Sequence, residues 1–200
     1  MRRTVAILLF DEIEVLDFAG PFEVFAVTDE LSDHKFFRVV TVAPEKRAIR
    51  ARNGLSVNPD HDFADCPRPN LLIVPGGFGT RALLNDSRAL NWIRSVSATA
   101  EIVASVCTGS LLLGRAGLLE GLRATTHHEC FGLLREHAPR ATVVETDRFT
   151  DNGRILTAAG ISAGIDLSLH LITRLHGPET AAQTARYMEY HWRNNDGTTR

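Results

Sequence analysis

Cys107 lies between two patterns that place a nucleophile well. It follows the apolar run Ile102-Val103-Ala104-Ser105-Val106, which reads as a buried strand. It precedes Thr108-Gly109-Ser110 and Leu111-Leu112-Leu113, which read as the start of a helix. A strand that turns sharply into a helix at one reactive residue is a nucleophile elbow. The unpaired N–H groups and partial positive charge of a helix start would favour a thiolate, the reactive form of cysteine. The same pattern also suits a small buried core cysteine.

Further residues could join it. Pro75-Gly76-Gly77-Phe78-Gly79 follows a buried strand, and its glycines let backbone N–H groups approach a ligand or an oxyanion. It matches neither a dinucleotide fingerprint nor a P-loop, and taken alone a tight turn is the plainer reading. Asp17, in Val15-Leu16-Asp17-Phe18-Ala19-Gly20-Pro21, is placed by its pattern between a first strand and a first helix. Open α/β sheets bind ligands at such loops, where a carboxylate can hold or pass a proton. A helix-capping role is the plainer use. Glu12 and Glu14 read as exposed loop acids, and Glu23 as partly turned toward the site. His127 and His128 follow Arg123-Ala124-Thr125-Thr126, a strand pattern, so His127 could pair with Cys107 or bind substrate. His127-His128-Glu129 lacks the spacing of a helical zinc motif, so no metal is expected. Cys66 and Cys130 receive no role, and the remaining histidines are scattered.

The elements needed to position these residues alternate along the chain. Strand patterns fall at 5–10, 37–43, 71–74, 101–105, 124–126, 142–145 and 155–158. Helical patterns fall at 21–31, 85–98, 128–137, 162–175 and 179–192. Solid apolar runs alternating with helices predict an α/β, flavodoxin-like three-layer sandwich around a mostly parallel sheet. Asp151-Asn152-Gly153 reads as a hairpin turn, and residues 47–58 as a smaller hairpin.

Composition bounds the function. The 200 residues carry a net charge of −2, with 44% hydrophobic and 23% charged residues. No broad electrostatic case exists for nucleic acid or an anionic membrane, and no apolar run reaches spanning length. Three scattered cysteines make no disulfide framework, which points to a cytoplasmic location. One domain over 4–193 with a polar tail at 194–200 is expected, and no room is left after the core for a helix-turn-helix module.

As a set, the Asp17 loop, Pro75-Gly76-Gly77, Val106-Cys107-Thr108-Gly109-Ser110, Ala124-Thr125-Thr126-His127 and Ala159-Gly160-Ile161-Ser162-Ala163-Gly164-Ile165-Asp166 resemble the ThiJ/PfpI superfamily. The resemblance covers roughly residues 4–190 and implies the class I glutamine amidotransferase-like fold. By it the elbow cysteine maps to Cys107, and the first-loop acid, often Glu, to Asp17. The strand-end His of some members maps to His127, and the oxyanion-type backbone donors to Gly77 and Thr108. Thr108 stands where peptidase-like and amidotransferase-like members carry His, which weakens a peptidase reading. The pattern looks most like the isonitrile hydratase branch, and is similar to the effector domains of AraC-type regulators.

That resemblance implies a lyase in which Cys107 adds to the terminal carbon of an isonitrile. Asp17 relays protons, and the product is an N-substituted formamide. It also implies a small-molecule substrate, no cofactor, no metal and a homodimer. The alternatives are a non-catalytic module sensing a metabolite or the oxidation of Cys107, and a glyoxalase or deglycase. The last would lean on His127 and prefer Glu at position 17.

Overall fold

A computed structural model describes residues 2–192; the expected tail at 194–200 lies outside the described residues. The chain begins with β1 (Arg3–Leu8), α1 (Val15–Leu31) and β2 (Phe37–Ala43). The short strands β3 (Ile49–Arg50), β4 (Ser56–Val57) and β5 (His61–Asp62) follow, then β6 (Leu71–Val74). Next come α2 (Thr80–Leu83), α3 (Ser87–Ser97), β7 (Ile102–Val106) and α4 (Gly109–Arg115). The last third holds β8 (Arg123–Ala124), α5 (Phe131–His137), β9 (Thr142–Val143), β10 (Phe149–Asp151), β11 (Ile155–Ala158), α6 (Ala163–His176) and α7 (Pro178–Tyr187).

Seven strands form the central sheet in the order β10-β11-β7-β6-β1-β2-β5. Every pairing in it is parallel except the β10–β11 hairpin, which turns at the expected Asp151-Asn152-Gly153. Every residue of β6, β7 and β11 is buried. Their unbroken apolar runs therefore match strands covered on both faces. Helices α1, α6 and α7 pack together as one layer, and α2–α5 as the other. The result is the three-layer α/β sandwich with a mostly parallel sheet.

Two expectations need correction. The pattern at 124–126 gives only β8, which pairs with β9 in a separate two-stranded sheet. Helix α1 starts at Val15 rather than Pro21, so Asp17 sits in its first turn and not in a loop. Pro21 removes one i→i−4 bond, but the helix runs through it. Packing is the reason: a Cβ on Gly20 would lie 2.9 Å from Ile165, and one on Gly164 would lie 3.5 Å from Pro21. Small residues on both helices draw α1 and α6 together, and that burial outweighs one lost hydrogen bond.

The predicted small hairpin is β3–β4. It clamps the segment before α1, with Glu12 N–H donating to Arg50 O and Arg52 N–H to Ile13 O. On the other side, Ile13 bridges Gly77 and Glu14 N–H donates to Gly76 O. The first turn of α1 is thus tied to the end of β6. No helix among the described residues is long and apolar enough to cross a membrane.

Candidate active site

Cys107 follows β7 directly, with φ at 56°. A non-glycine residue in the left-handed region carries roughly 1–2 kcal/mol of strain, held by its surroundings. Its N–H reaches the carbonyls of Ala158 (3.1 Å) and Ala159 (2.9 Å). Its own carbonyl accepts from Thr126 Oγ1 (2.9 Å) and Ser110 Oγ (3.1 Å). Glycine is required beside it. A Cβ on Gly109 would lie 1.9 Å from Val74 O, and one on Gly76 would lie 2.5 Å from the Thr108 nitrogen.

Asp17 is fully buried. Its Oδ2 accepts a 2.9 Å hydrogen bond from Gly76 N–H. The Cys107 thiol approaches the carboxyl side chain to side chain, yet Oδ1 has no fully formed hydrogen bond. Burial pushes the Asp17 carboxyl up from 3.8 to about 7, and the charge of Glu14 adds to the rise. The Gly76 N–H and the thiol oppose it. Asp17 is therefore a carboxyl that can both hold and release a proton near neutrality.

Cys107 departs from the expected low-pKa thiolate. Its residue is only 6% exposed. Burial pushes its thiol up to about 12, and the Asp17 charge adds to this. Backbone N–H groups of Thr108 and Ile161 face the sulfur and favour the thiolate, but do not prevail. Desolvation of a buried anion outweighs the partial charges of these two N–H groups.

The backbone donors also differ in part from expectation. Gly77 lines the site with φ at 129°, but its N–H is given to Thr108 Oγ1 at 2.9 Å. The second donor to the sulfur is Ile161, another left-handed non-glycine residue, with φ at 48°. Ile161 lies in the β11-to-α6 turn. The neighbouring Ser162 hydroxyl accepts from Arg148 (3.0 Å), whose Nε pairs with the buried Asp166.

A cavity of about 330 Å³ opens over the sulfur. Cys107, Thr108, Gly77, His127 and Ile161 line it. Glu14, Arg52, Phe78, Arg81, Glu129 and Cys130 line it too, none of which the motifs had marked as functional. Glu14, read as an exposed loop acid, is only partly exposed and lies 3.7 Å from Arg52. Glu12 and Glu23 are exposed and do not line this cavity. His127 caps the following turn: its Nδ1 accepts from Glu129 N–H at 3.3 Å, which leaves the proton of the neutral ring on Nε2. Its ring packs against Gly160, where a Cβ would lie 2.6 Å from Cδ2. Among the described residues no group of three or more His, Cys, Asp or Glu could hold a metal ion.

The geometry thus sets a left-handed cysteine, between a parallel strand and a helix, beside a buried acid from the first helix. The DJ-1/PfpI family model matches residues 3–174. The chain belongs to the DJ-1/PfpI family. It is similar to isonitrile hydratase of Pseudomonas putida, with 37% identity over 190 residues, 95% of this chain and 79% of that protein. It is also similar to the HTH-type transcriptional regulator GbdR of Pseudomonas aeruginosa, with 29% identity over 97% of this chain and 52% of the regulator. The chain thus spans about half the length of that regulator. A ThiJ/PfpI family protein from Pseudomonas syringae superposes with a TM-score of 0.87 at 31% identity, over 95% of this chain and 76% of that one. Drosophila melanogaster DJ-1beta superposes with a TM-score of 0.83 at 18% identity, over 96% and 100% of the two chains, a likeness of fold alone.

Proposed function

We propose that this protein is a cysteine-dependent hydratase that converts a small isonitrile into an N-substituted formamide. The observation that carries the reading is the Asp17–Cys107 pair: a carboxyl with a pKa near 7 beside a buried thiol. The 37% identity to isonitrile hydratase supports the choice of substrate class.

The steps follow from the groups present. Asp17 as carboxylate takes the thiol proton while Sγ bonds to the terminal carbon of the isonitrile. Protonated Asp17 returns that proton to the same carbon, which gives a thioimidate. Water then adds across the C=N bond: its hydroxyl goes to carbon and a proton to nitrogen, with Asp17 as the relay. The C–S bond breaks, the hydroxyl proton leaves as the carbonyl forms, and the sulfur regains a proton. The sum is one water added to one isonitrile. Thr108 and Ile161 N–H groups stabilise the sulfur whenever it carries charge. The single domain, the homodimer and the cytoplasmic location belong to the same proposal.

The regulator similarity favours a second reading, in which the cavity binds a small molecule without turnover. One experiment separates the two. A panel of isonitriles is incubated with wild-type protein, Cys107→Ala and Asp17→Asn, and formamide is quantified by mass spectrometry. Turnover abolished in Cys107→Ala supports the hydratase. Ligand binding that survives Cys107→Ala, with no product from the wild type, supports the sensor and refutes the hydratase.

A further inference from the structure

The charges in the cavity do not all cancel locally. Glu14 lies 3.7 Å from Arg52, so these two charges offset one another. Arg81 is the exception. Among the described residues no carboxylate lies within 4.0 Å of its guanidinium. The group is nonetheless held in place. Its Nη1 donates to Gly77 O and Thr80 Oγ1, both at 3.2 Å, and its carbon sits 5.3 Å from the centre of the Phe78 ring. Among the described residues its Nη2 has only the Cys130 sulfur, at 3.7 Å, and sulfur is a weak acceptor. One edge of the guanidinium fork is therefore anchored to the loop that builds the site. The other edge faces a soft wall of the cavity that contains Cys107.

We propose that Arg81 selects a carboxylate, and that the substrate is a small electrophile carrying a carboxylate on its substituent. On the hydratase reading, this is an isocyano carboxylic acid. A planar guanidinium with free N–H capacity recognises carboxylate geometry better than it recognises a neutral group. Phe78 and Ile161, both exposed at the cavity, supply apolar contact for the carbon chain between the two functional groups. A cavity of about 330 Å³ is at the small end for ligand sites, which restricts that chain to a few carbons. Arg81 is a specificity residue here and has no part in the bond-making steps.

The identity of the electrophile rests on the hydratase reading, but the anion site does not, and the test keeps them apart. Iodoacetate and iodoacetamide are near-isosteric probes that differ in charge. Each forms an Sγ–CH₂ bond with release of iodide, with the thiol proton lost to solvent. Their rates at Cys107 are measured by peptide mass spectrometry for the wild type and for Arg81→Gln. The iodoacetate-to-iodoacetamide rate ratio should fall about tenfold in the variant, the size of one charge-assisted hydrogen bond. An unchanged ratio, or equal loss for both probes, overturns the proposal. If Arg81→Gln does not fold, the wild-type ratio is compared with that of N-acetylcysteine. A ratio above that of the free thiol supports the site, and one no higher overturns it. Turnover is then assayed with an isocyano carboxylate and its carboxamide. Preference for the carboxylate supports the substrate class, and equal use of both overturns it. No turnover of either, with the alkylation ratio still falling, refutes the hydratase and supports the anion site.

Discussion

Replacing Asp17 by asparagine should stabilise the fold above neutrality, and the gain should vanish in acid. Asp17 is fully buried, and its carboxyl is raised from 3.8 to about 7, first by burial. Between these two values the native state keeps a proton that the unfolded chain has already lost. Stability must then fall as pH rises through that window, by up to about 1.4 kcal/mol per pH unit. The contribution is fully present below 3.8 and fully lost above about 7. Across the window it amounts to something on the order of 4 kcal/mol. The substituted amide does not titrate. Its carbonyl can still accept from Gly76 N–H, and its NH₂ falls where Oδ1 has no formed hydrogen bond. The stability difference between the variant and the wild type should therefore be small near pH 4 and grow to several kcal/mol near pH 8. Urea denaturation followed by tryptophan fluorescence at four pH values measures it. A difference that stays flat with pH would mean that Asp17 ionises at an ordinary value. Its role as the proton store of the site would then fall.

Four further outcomes follow from the packing and the charges. Gly76→Ala should cost roughly 3 kcal/mol, because its Cβ would meet the Thr108 nitrogen at 2.5 Å and Asp17 Oδ2 at 2.9 Å. Gly132→Ala in α5, with nothing within 4 Å, should stabilise by up to about 1 kcal/mol; equal effects in denaturation would refute the crowding argument. Arg148→Met should cost about 3 kcal/mol, since it removes the cation paired with fully buried Asp166 and the bond to Ser162. A thermal shift no larger than that of a surface substitution would sink this estimate. In brief, limiting iodoacetamide treatment at neutral pH, half-buried Cys66 should label before Cys107, which is only 6% exposed and less open to reagent. Peptide mapping that finds Cys107 first would reverse the ranking.

The central sheet was legible because its strands announce themselves. The fully apolar stretches at β6, β7 and β11 need cover on both faces, and only a parallel sheet between helices provides it. The Asn152-Gly153 turn was legible for a backbone reason, since Gly153 adopts φ of 83°. The start of α1 was not. Gly20-Pro21 looks like a break in one dimension, and only the α6 surface, remote in sequence, makes those small residues a packing face. Cys107 and Asp17 stood at junctions of patterned elements, so they could be found. Ile161, Glu14, Arg52 and Arg81 come from loops and a four-residue helix, where no periodicity tells which way a side chain points. The signal for Ile161 was faint but present: it lies within a second strand-to-helix turn, between β11 and α6.

The thiol is where local and tertiary physics disagree in sign. A helix start and two N–H groups argue for a thiolate, and the motif alone contains nothing against them. The opposing terms, burial and the Asp17 charge, arise only once α1 is docked beside β7. This does not make the sulfur inert. The thiol is raised partly by the charge of ionised Asp17, so the two pKa values cannot simply be subtracted to give the cost of making the thiolate. Moving one proton from Sγ to Asp17 leaves the pair with a single negative charge throughout. The like-charge repulsion that helps to raise the thiol is absent from both tautomers, so the transfer costs less than the gap between 7 and 12 suggests. Thr108 and Ile161 then favour the tautomer with charge on sulfur. A pair of this kind presents a protonated thiol to solvent oxidants at rest. It makes a nucleophile by a proton shift inside the site when an electrophilic carbon occupies the cavity.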